Sequence, residues 1–377
     1  MLLMLKDTPV LQADFGNLIF KQLEPDLLPV NLKDKLDRKA PAIHENGITI
    51  PLSISESNNY YLQEFLAGRV LPLTRTNAKK IYNILGASQS QSMTNKLRIS
   101  LMCRAVSLLD NYWVKNDTDT CSWKDVSIRD NPLNEVFTQI ALRGVSVSLQ
   151  GEIHTPEITT NGAYAKAWKR ESGGLWLYKK GHNGSFEAKV EVMVSNILDN
   201  MNVSHVTYKA AEDQDEYCCK CPCITTEEIS LVDAETVEAW FNRREKTFMS
   251  YVQKNYADDL YKMWIVDYLI SNPDRHSQNW GFLFEADTTR IIGLHPLFDH
   301  NNAFDVQYMQ NPDADYIANS QFTMRQAAQY ARKRVEIHYY DDFTREDFLT
   351  ERQYQSFMSR LKELHIFKSS KSSTYSS

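Results

Sequence analysis

Residues 271–304 read SNPDRHSQNWGFLFEADTTRIIGLHPLFDHNNAF. The helical pattern before them, DDLYKMWIVDYLIS, ends at about Ser271, because Pro273 has no amide hydrogen with which to continue it. Asp274 therefore falls on a turn. Asn279 follows at the mouth of a predicted strand that runs from Trp280 to about Glu285. A turn over Ala286 to Thr288 reverses the chain, and a return strand from Arg290 to Leu294 leads on to Asp299. In an antiparallel hairpin the start of the first strand lies beside the end of the second. The pattern thus predicts that Asn279 and Asp299 come together, with Asp274 reaching them from the preceding loop.

One loop aspartate, one asparagine and one strand-end aspartate suit phosphoryl transfer. The first accepts or orients a substrate hydroxyl; the other two hold magnesium, which takes oxygen ligands and bridges nucleotide phosphates. The Asp-x-x-x-x-Asn spacing equals that of the protein-kinase catalytic loop, although here His276 follows the aspartate instead of a His-Arg pair preceding it. His276 is a candidate general base, or a structural tie that orients Asp274. The plainer alternative is an Asx turn at Asn272 or Asp274 and a solvated hairpin end.

A nucleotide site of this type also needs a cation on a strand, held by a glutamate on a helix. LWLYKK, residues 175–180, supplies the strand. By alternation Leu175, Leu177 and Lys179 share one face, and Trp176, Tyr178 and Lys180 the other. Lys179, on the apolar face, is the first candidate and Lys180 the second. The following segment places Val190, Met193, Val194, Ile197, Leu198 and Met201 at helical spacing. Glu187 and Glu191 stand one turn apart on or beside that stripe, and the helical wheel alone does not separate them.

Residues 1–35 read as short strands and 36–48 as an exposed loop, and helical patterns dominate from about Tyr60 to Trp113. A polar break at Asn116 to Asp119 suggests a first domain boundary. NPLNEVFTQIALRG then reads as a helix with Pro132 near its first turn, and VSVSLQG as a strand. VSHVTYKA and EYCCKCPC read as two more strands. From Ala234 onward long helices are expected, beginning with AETVEAWFNRREKTFMSYVQ. The predicted class is α+β: residues 1–125, a strand-rich lobe over 126–224, a helical lobe over 225–367, and a polar, disordered tail over 368–377.

The 377 residues suit two or three packed units, and 42% hydrophobic with 24% charged residues is the balance of a globular protein. A formal charge of −6 argues against binding nucleic acid mainly through phosphate contacts. No apolar run approaches the ~20 residues needed to span a bilayer, and Met1 to Leu5 is too short for a secretory signal, so a cytoplasmic location is expected. Cys218, Cys219, Cys221 and Cys223 are spaced too tightly for a pair of zinc knuckles. On a strand, Cys219, Cys221 and Cys223 would share a face and pack as small hydrophobes.

Asn272-Pro-Asp-Arg-His-Ser-Gln-Asn279, then a hairpin and Leu-Phe-Asp299, resembles the HipA-like serine/threonine kinases of bacteria and phages. SLQG at Ser148 to Gly151, WLYK at Trp176 to Lys179 and the helix near Glu191 are similar to that family's elements in the same order. The resemblance covers about residues 140–350, and residues 1–125 are similar in outline to the family's N-terminal subdomain. It implies a bilobal kinase-like fold, ATP and Mg2+ as cofactors, a protein substrate with a Ser or Thr acceptor, and room for an antitoxin-like regulatory partner. It also implies Asp274 as catalytic base, Asn279 and Asp299 as magnesium ligands, Lys179 on phosphate and Glu191 as its partner. Ser148 and Gly151 would lie in the phosphate loop, Ser148 at the place of an autophosphorylated serine. No Gly-x-Gly-x-x-Gly is present; TTNGAYAKAW is expected to offer backbone N–H groups, with Gly162 allowing close approach. The Asp-Arg-His-x-x-Asn signature is also similar to phosphoinositide kinases, and a non-catalytic nucleotide- or protein-binding module on the same fold is the other alternative.

Overall fold

A computed structural model describes residues 1–40, 42–45, 48–145, 155–160, 163–182 and 185–369. The chain opens with β1 (Leu2–Leu5), β2 (Thr8–Asp14) and β3 (Ile19–Gln22), followed by the short antiparallel pair β4 (Ile43–Glu45) and β5 (Ile48–Ile50). Helix α1 (Ile54–Ala67) starts at a capping box, in which Ser53 accepts from the Glu56 amide and Glu56 accepts from the Ser53 amide. Next come α2 (Ala78–Ile84) and α3 (Met93–Met102). β6 (Tyr112–Lys115) then returns to pair with β1, giving an antiparallel sheet ordered β3-β2-β1-β6. Tyr61, Leu62, Phe65 and Leu66 of α1 pack on Leu3, Leu5, Val10 and Leu11 of this sheet. The polar break at Asn116 follows directly on β6.

After the short α4 (Trp123–Val126), α5 (Glu135–Arg143) begins with Asn134 accepting from the Val136 amide, two residues later than Pro132 suggests. It ends at Gly144, whose φ of +66° is left-handed; a Cβ there would sit 2.6 Å from Asn77 Oδ1. The strand expected over VSVSLQG lies almost wholly outside the described residues. A second antiparallel sheet, ordered β7-β8-β10-β9, is built from β7 (Lys166–Glu171), β8 (Gly174–Lys179), β9 (Lys209–Asp213) and β10 (Glu216–Pro222). Helix α6 (Phe186–Asp199) follows β8. The strand expected over VSHVTYKA starts only at Lys209. The amides before it are used elsewhere, Val206 N–H on the Leu297 carbonyl at 2.8 Å and Tyr208 N–H on Ser195 Oγ at 2.9 Å. All six cysteines are free. Cys219 and Cys221 pack with Ala188, Val206 and Tyr208, whereas Cys223 lies past the end of β10 in a different cluster.

The remainder is mostly helical. β11 (Ile229–Asp233) leads into α7 (Ala234–Arg243), α8 (Phe248–Asn255) and α9 (Ala257–Leu269). The single long helix expected from Ala234 is thus two, because Glu245 takes a left-handed φ of +55° and breaks it. β12 (Gly281–Glu285) and β13 (Arg290–Leu294) form the expected hairpin and join β11 in a three-stranded sheet. Gly281 is required there, since a Cβ would come within 2.4 Å of the Val232 carbonyl. α10 (Val306–Gln310), α11 (Met324–Arg332) and α12 (Glu351–Glu363) complete the chain. One buried cluster joins Val190, Val194 and Ile197 of α6 to Trp264 and Leu269 of α9, Phe282 of β12 and Phe357 of α12. The helix after the lysine strand is therefore fixed to the helical part. Among the described residues, no helix is long and apolar enough to cross a membrane.

Candidate functional site

The loop after α9 is held by one buried cation. Arg275 has no exposed side-chain surface, and its guanidinium donates to both carboxylate oxygens of Asp267, with Nη2 at 3.0 Å from Oδ1. Its Nη1 also donates to the Asn279 carbonyl at 2.6 Å and the Phe298 carbonyl at 3.0 Å. One side chain thereby joins the mouth of β12 to the residue before Asp299. Asp267 in turn accepts from Asn272 Nδ2 at 2.8 Å and Tyr316 O–H at 2.7 Å, so every lone-pair direction of this buried carboxylate is used. Pro273 ends the helix as expected.

Asn279 donates from Nδ2 to the Asp274 carbonyl at 2.7 Å, which turns its Oδ1 away and leaves it available as a ligand. The same nitrogen lies 3.4 Å from Asp274 Oδ2. Asp299 adopts a left-handed φ of +58°, a conformation that aspartate tolerates better than most residues and that is common where a side chain must be aimed. Two asparagines adjacent in the chain each serve one of the aspartates: Asn301 Nδ2 donates to Asp299 Oδ1 at 3.0 Å, and Asn302 Nδ2 donates to Asp274 Oδ2 at 2.9 Å. Asp274 and Asn279 are thus bonded directly, and Asp299 follows Phe298, whose carbonyl shares the Arg275 guanidinium with that of Asn279.

Lys179 reaches Asp299 from β8. Its ammonium lies 2.5 Å from Glu191 Oε1 and 2.6 Å from Asp299 Oδ1, and 5.1 Å from the centre of the Tyr208 ring. Burial disfavours the charge on Lys179, but the carboxylates of Asp299 and Glu191 outweigh it and hold its pKa well above the ordinary lysine range. At Asp299 burial pushes the carboxyl up, but Lys179 and Lys166 pull it further down, so it stays ionised. Lys180 faces the other way, to Asp213 at 3.2 Å and Glu216 at 2.5 Å. Glu187 accepts from the His182 amide at 2.8 Å and is not part of the lysine pair. His276 is 38% exposed, and its Nε2 lies 3.8 Å from Asp274 Oδ1. Its Nδ1 accepts from the Gln278 amide at 3.2 Å, a tie within the loop, while Arg275 anchors the loop to its surroundings.

Further residues of the site escape sequence reasoning. Lys166 of β7 is directly opposite Lys179 in the sheet register and is 6% exposed. Burial and the Lys179 charge lower its pKa to about 8 although Asp299 pulls it up. Arg75, with no exposed side-chain surface, donates to the carbonyls of Glu157, Thr160 and Lys166 and pairs with the Glu157 carboxylate at 3.4 Å. Thr76 adds N–H and hydroxyl bonds to the Ala163 carbonyl, and the Leu71 N–H bonds the Ile158 carbonyl. Tyr164 and Asn302 complete the set. The alternation of AYAKAW against LWLYKK could have flagged Lys166; nothing local marks the others. Ser148, Gly151 and Gly162 lie outside the described residues.

No family model matches this sequence, and no curated protein sequence matches it. Solved structures similar to it include these two. One is a Helicobacter pylori proinflammatory kinase, CtkA, at 16% identity over 53% of this chain and 89% of that one, with a TM-score of 0.39. The other is the Shewanella oneidensis toxin HipA, solved with HipB and its operator DNA, at 10% identity over 97% of each chain, with a TM-score of 0.51. The second likeness runs nearly end to end and shows the fold: this mixed helix-and-sheet chain has a HipA-like architecture.

Proposed function

We propose that this protein is an ATP- and magnesium-dependent kinase that transfers the γ-phosphoryl group to a serine or threonine of a protein substrate. The observation that carries the reading is Lys179, a charged lysine held between a helix glutamate and Asp299, beside a loop that presents Asp274 and Asn279. In this reading residues 1–125 are an N-terminal subdomain, 126–224 a strand-rich lobe and 225–367 a helical lobe, with the site between the two lobes.

The donor set fits a hard divalent cation. Asn279 Oδ1 is turned away from the Asp274 carbonyl, and Asp299 Oδ2 is free of the bonds that Lys179 and Asn301 make to Oδ1. Magnesium and ATP, when bound, supply the transferable phosphoryl group and neutralise its charge. Lys179 holds the phosphates, Glu191 orients Lys179, and Asp274 takes the proton of the acceptor hydroxyl. The family-level reading adds Ser148 and Gly151 in the phosphate loop and an antitoxin-like protein as a regulatory partner, and TTNGAYAKAW adds Gly162, where backbone can approach the phosphates closely.

The test is transfer of labelled phosphate from Mg-ATP to a mixed protein substrate and to the chain itself. Wild type should incorporate label and Asp274→Asn should not; equal incorporation by both eliminates the reading.

A further inference from the structure

We propose that Asn302 is a positioning residue for Asp274 and that Tyr164 fixes Asn302, so that the catalytic carboxylate is set only when both sides of the site are in place. The proposal rests on the kinase reading above.

Asp274 lies on a loop with 36% of its side chain exposed, so its hydrogen bonds contribute to selecting its rotamer. Asn302 Nδ2 donates to Asp274 Oδ2 at 2.9 Å, and Asn279 Nδ2 stands 3.4 Å from the same oxygen. Both amides thus occupy Oδ2, which leaves Oδ1 to face an acceptor hydroxyl. His276 Nε2, at 3.8 Å, is too far from Oδ1 for a hydrogen bond.

The amide of Asn302 can serve this way in one orientation only. Turned over, it would set its carbonyl oxygen against the carboxylate. The other end of the amide is also engaged: Tyr164 O–H donates to Asn302 Oδ1 at 3.3 Å. Tyr164 comes from the far side of the site. Its ring centre lies 5.1 Å from that of His182, and it sits between Ala163 and Lys166, whose carbonyls are bonded by Thr76 and Arg75. The relay Tyr164–Asn302–Asp274 is therefore a direct polar link from the segment beside Lys166 to the catalytic loop.

The experiment is a double-mutant cycle on Asn302→Ala and Tyr164→Phe, read by steady-state kinetics and by calorimetry of Mg-ADP binding. Misplacing a reacting group by about 1 Å can cost about 100-fold. Asn302→Ala is expected to lower kcat about 10- to 100-fold, with KM for ATP and Mg-ADP affinity changed less than about twofold. Tyr164→Phe is expected to lower kcat about 3- to 10-fold. The double variant should be no slower than Asn302→Ala, because Tyr164 acts through Asn302. Multiplicative effects, an unchanged kcat in Asn302→Ala, or equal losses in kcat and nucleotide affinity overturn the proposal. Asn302→Ser, which keeps a small polar side chain, substitutes if the alanine variant fails to fold. If wild type transfers no phosphate, the kinase reading falls on its own. A crystal structure of Asn302→Ala then decides the positioning claim: Asp274 should leave its rotamer, and an unmoved carboxylate refutes it.

Discussion

Replacing Lys166 by Met should make this protein more stable at neutral pH and poorer at holding nucleotide. Lys166 is 6% exposed, and among the described residues no hydrogen bond or ion pair reaches its ammonium. Burial is the first cause of its lowered pKa, and the charge of Lys179 across the strand pair adds to it. A folded-state pKa of about 8 against 10.5 in the unfolded chain, at about 1.36 kcal/mol per pH unit, amounts to about 3 kcal/mol. The sign follows from proton counting. Between pH 8 and 10.5 the unfolded chain binds more protons than the folded one, so stability rises with pH through that window. Below pH 8 both states carry the charge, and the penalty is present in full. Methionine keeps most of the stem and has no charge to desolvate. Lys166→Met should therefore gain up to about 3 kcal/mol at pH 7, and the gain should fade as pH approaches 10.5. Urea unfolding followed by tryptophan fluorescence at pH 7 and pH 10 measures it, and the slopes with denaturant should match between variant and wild type. A loss of stability at pH 7, or a gain as large at pH 10 as at pH 7, would refute the reasoning. Weaker Mg-ADP binding by the same variant would mean that the lysine is kept for its ligand.

Arg275→Met should destabilise by about 3–5 kcal/mol, because it leaves the buried Asp267 carboxylate without its cation; a urea midpoint within error of wild type would contradict this. Arg275→Met with Asp267→Asn should cost less than the sum of the single changes, which the same titrations measure. Lys179→Met should abolish phosphate transfer, and Glu191→Gln should lower it at least about tenfold while Mg-ADP still binds; calorimetry beside the transfer assay separates the two effects.

The hairpin and its flanking aspartates were legible because each cue is local: a proline that stops a helix, alternation over five residues, and a turn between. β12 and β13 follow those cues closely. The glutamates of α6 show where such cues end. Glu187 and Glu191 lie beside the same apolar stripe, and only the position of the neighbouring sheet sends Glu191 to Lys179 and Glu187 to the His182 amide. The break between α7 and α8 was hidden for another reason: Glu245, with neither glycine nor proline beside it, adopts the left-handed turn under tertiary constraint. Arg75 and Asn302 act on partners far along the chain, so no window of sequence holds both ends of their bonds.

Arg75 bears on how the chain can be shortened. A fragment starting at residue 126 would retain every side chain assigned here to chemistry, yet it would strip the bolts from the strip of backbone between Glu157 and Lys166. Three carbonyls would lose their guanidinium, and Glu157 would keep a buried carboxylate with no counter-ion. The leading 125 residues are in this sense a chassis for the stretch from Glu157 to Lys166, and excising them should leave a shortened protein whose parts are present but out of true.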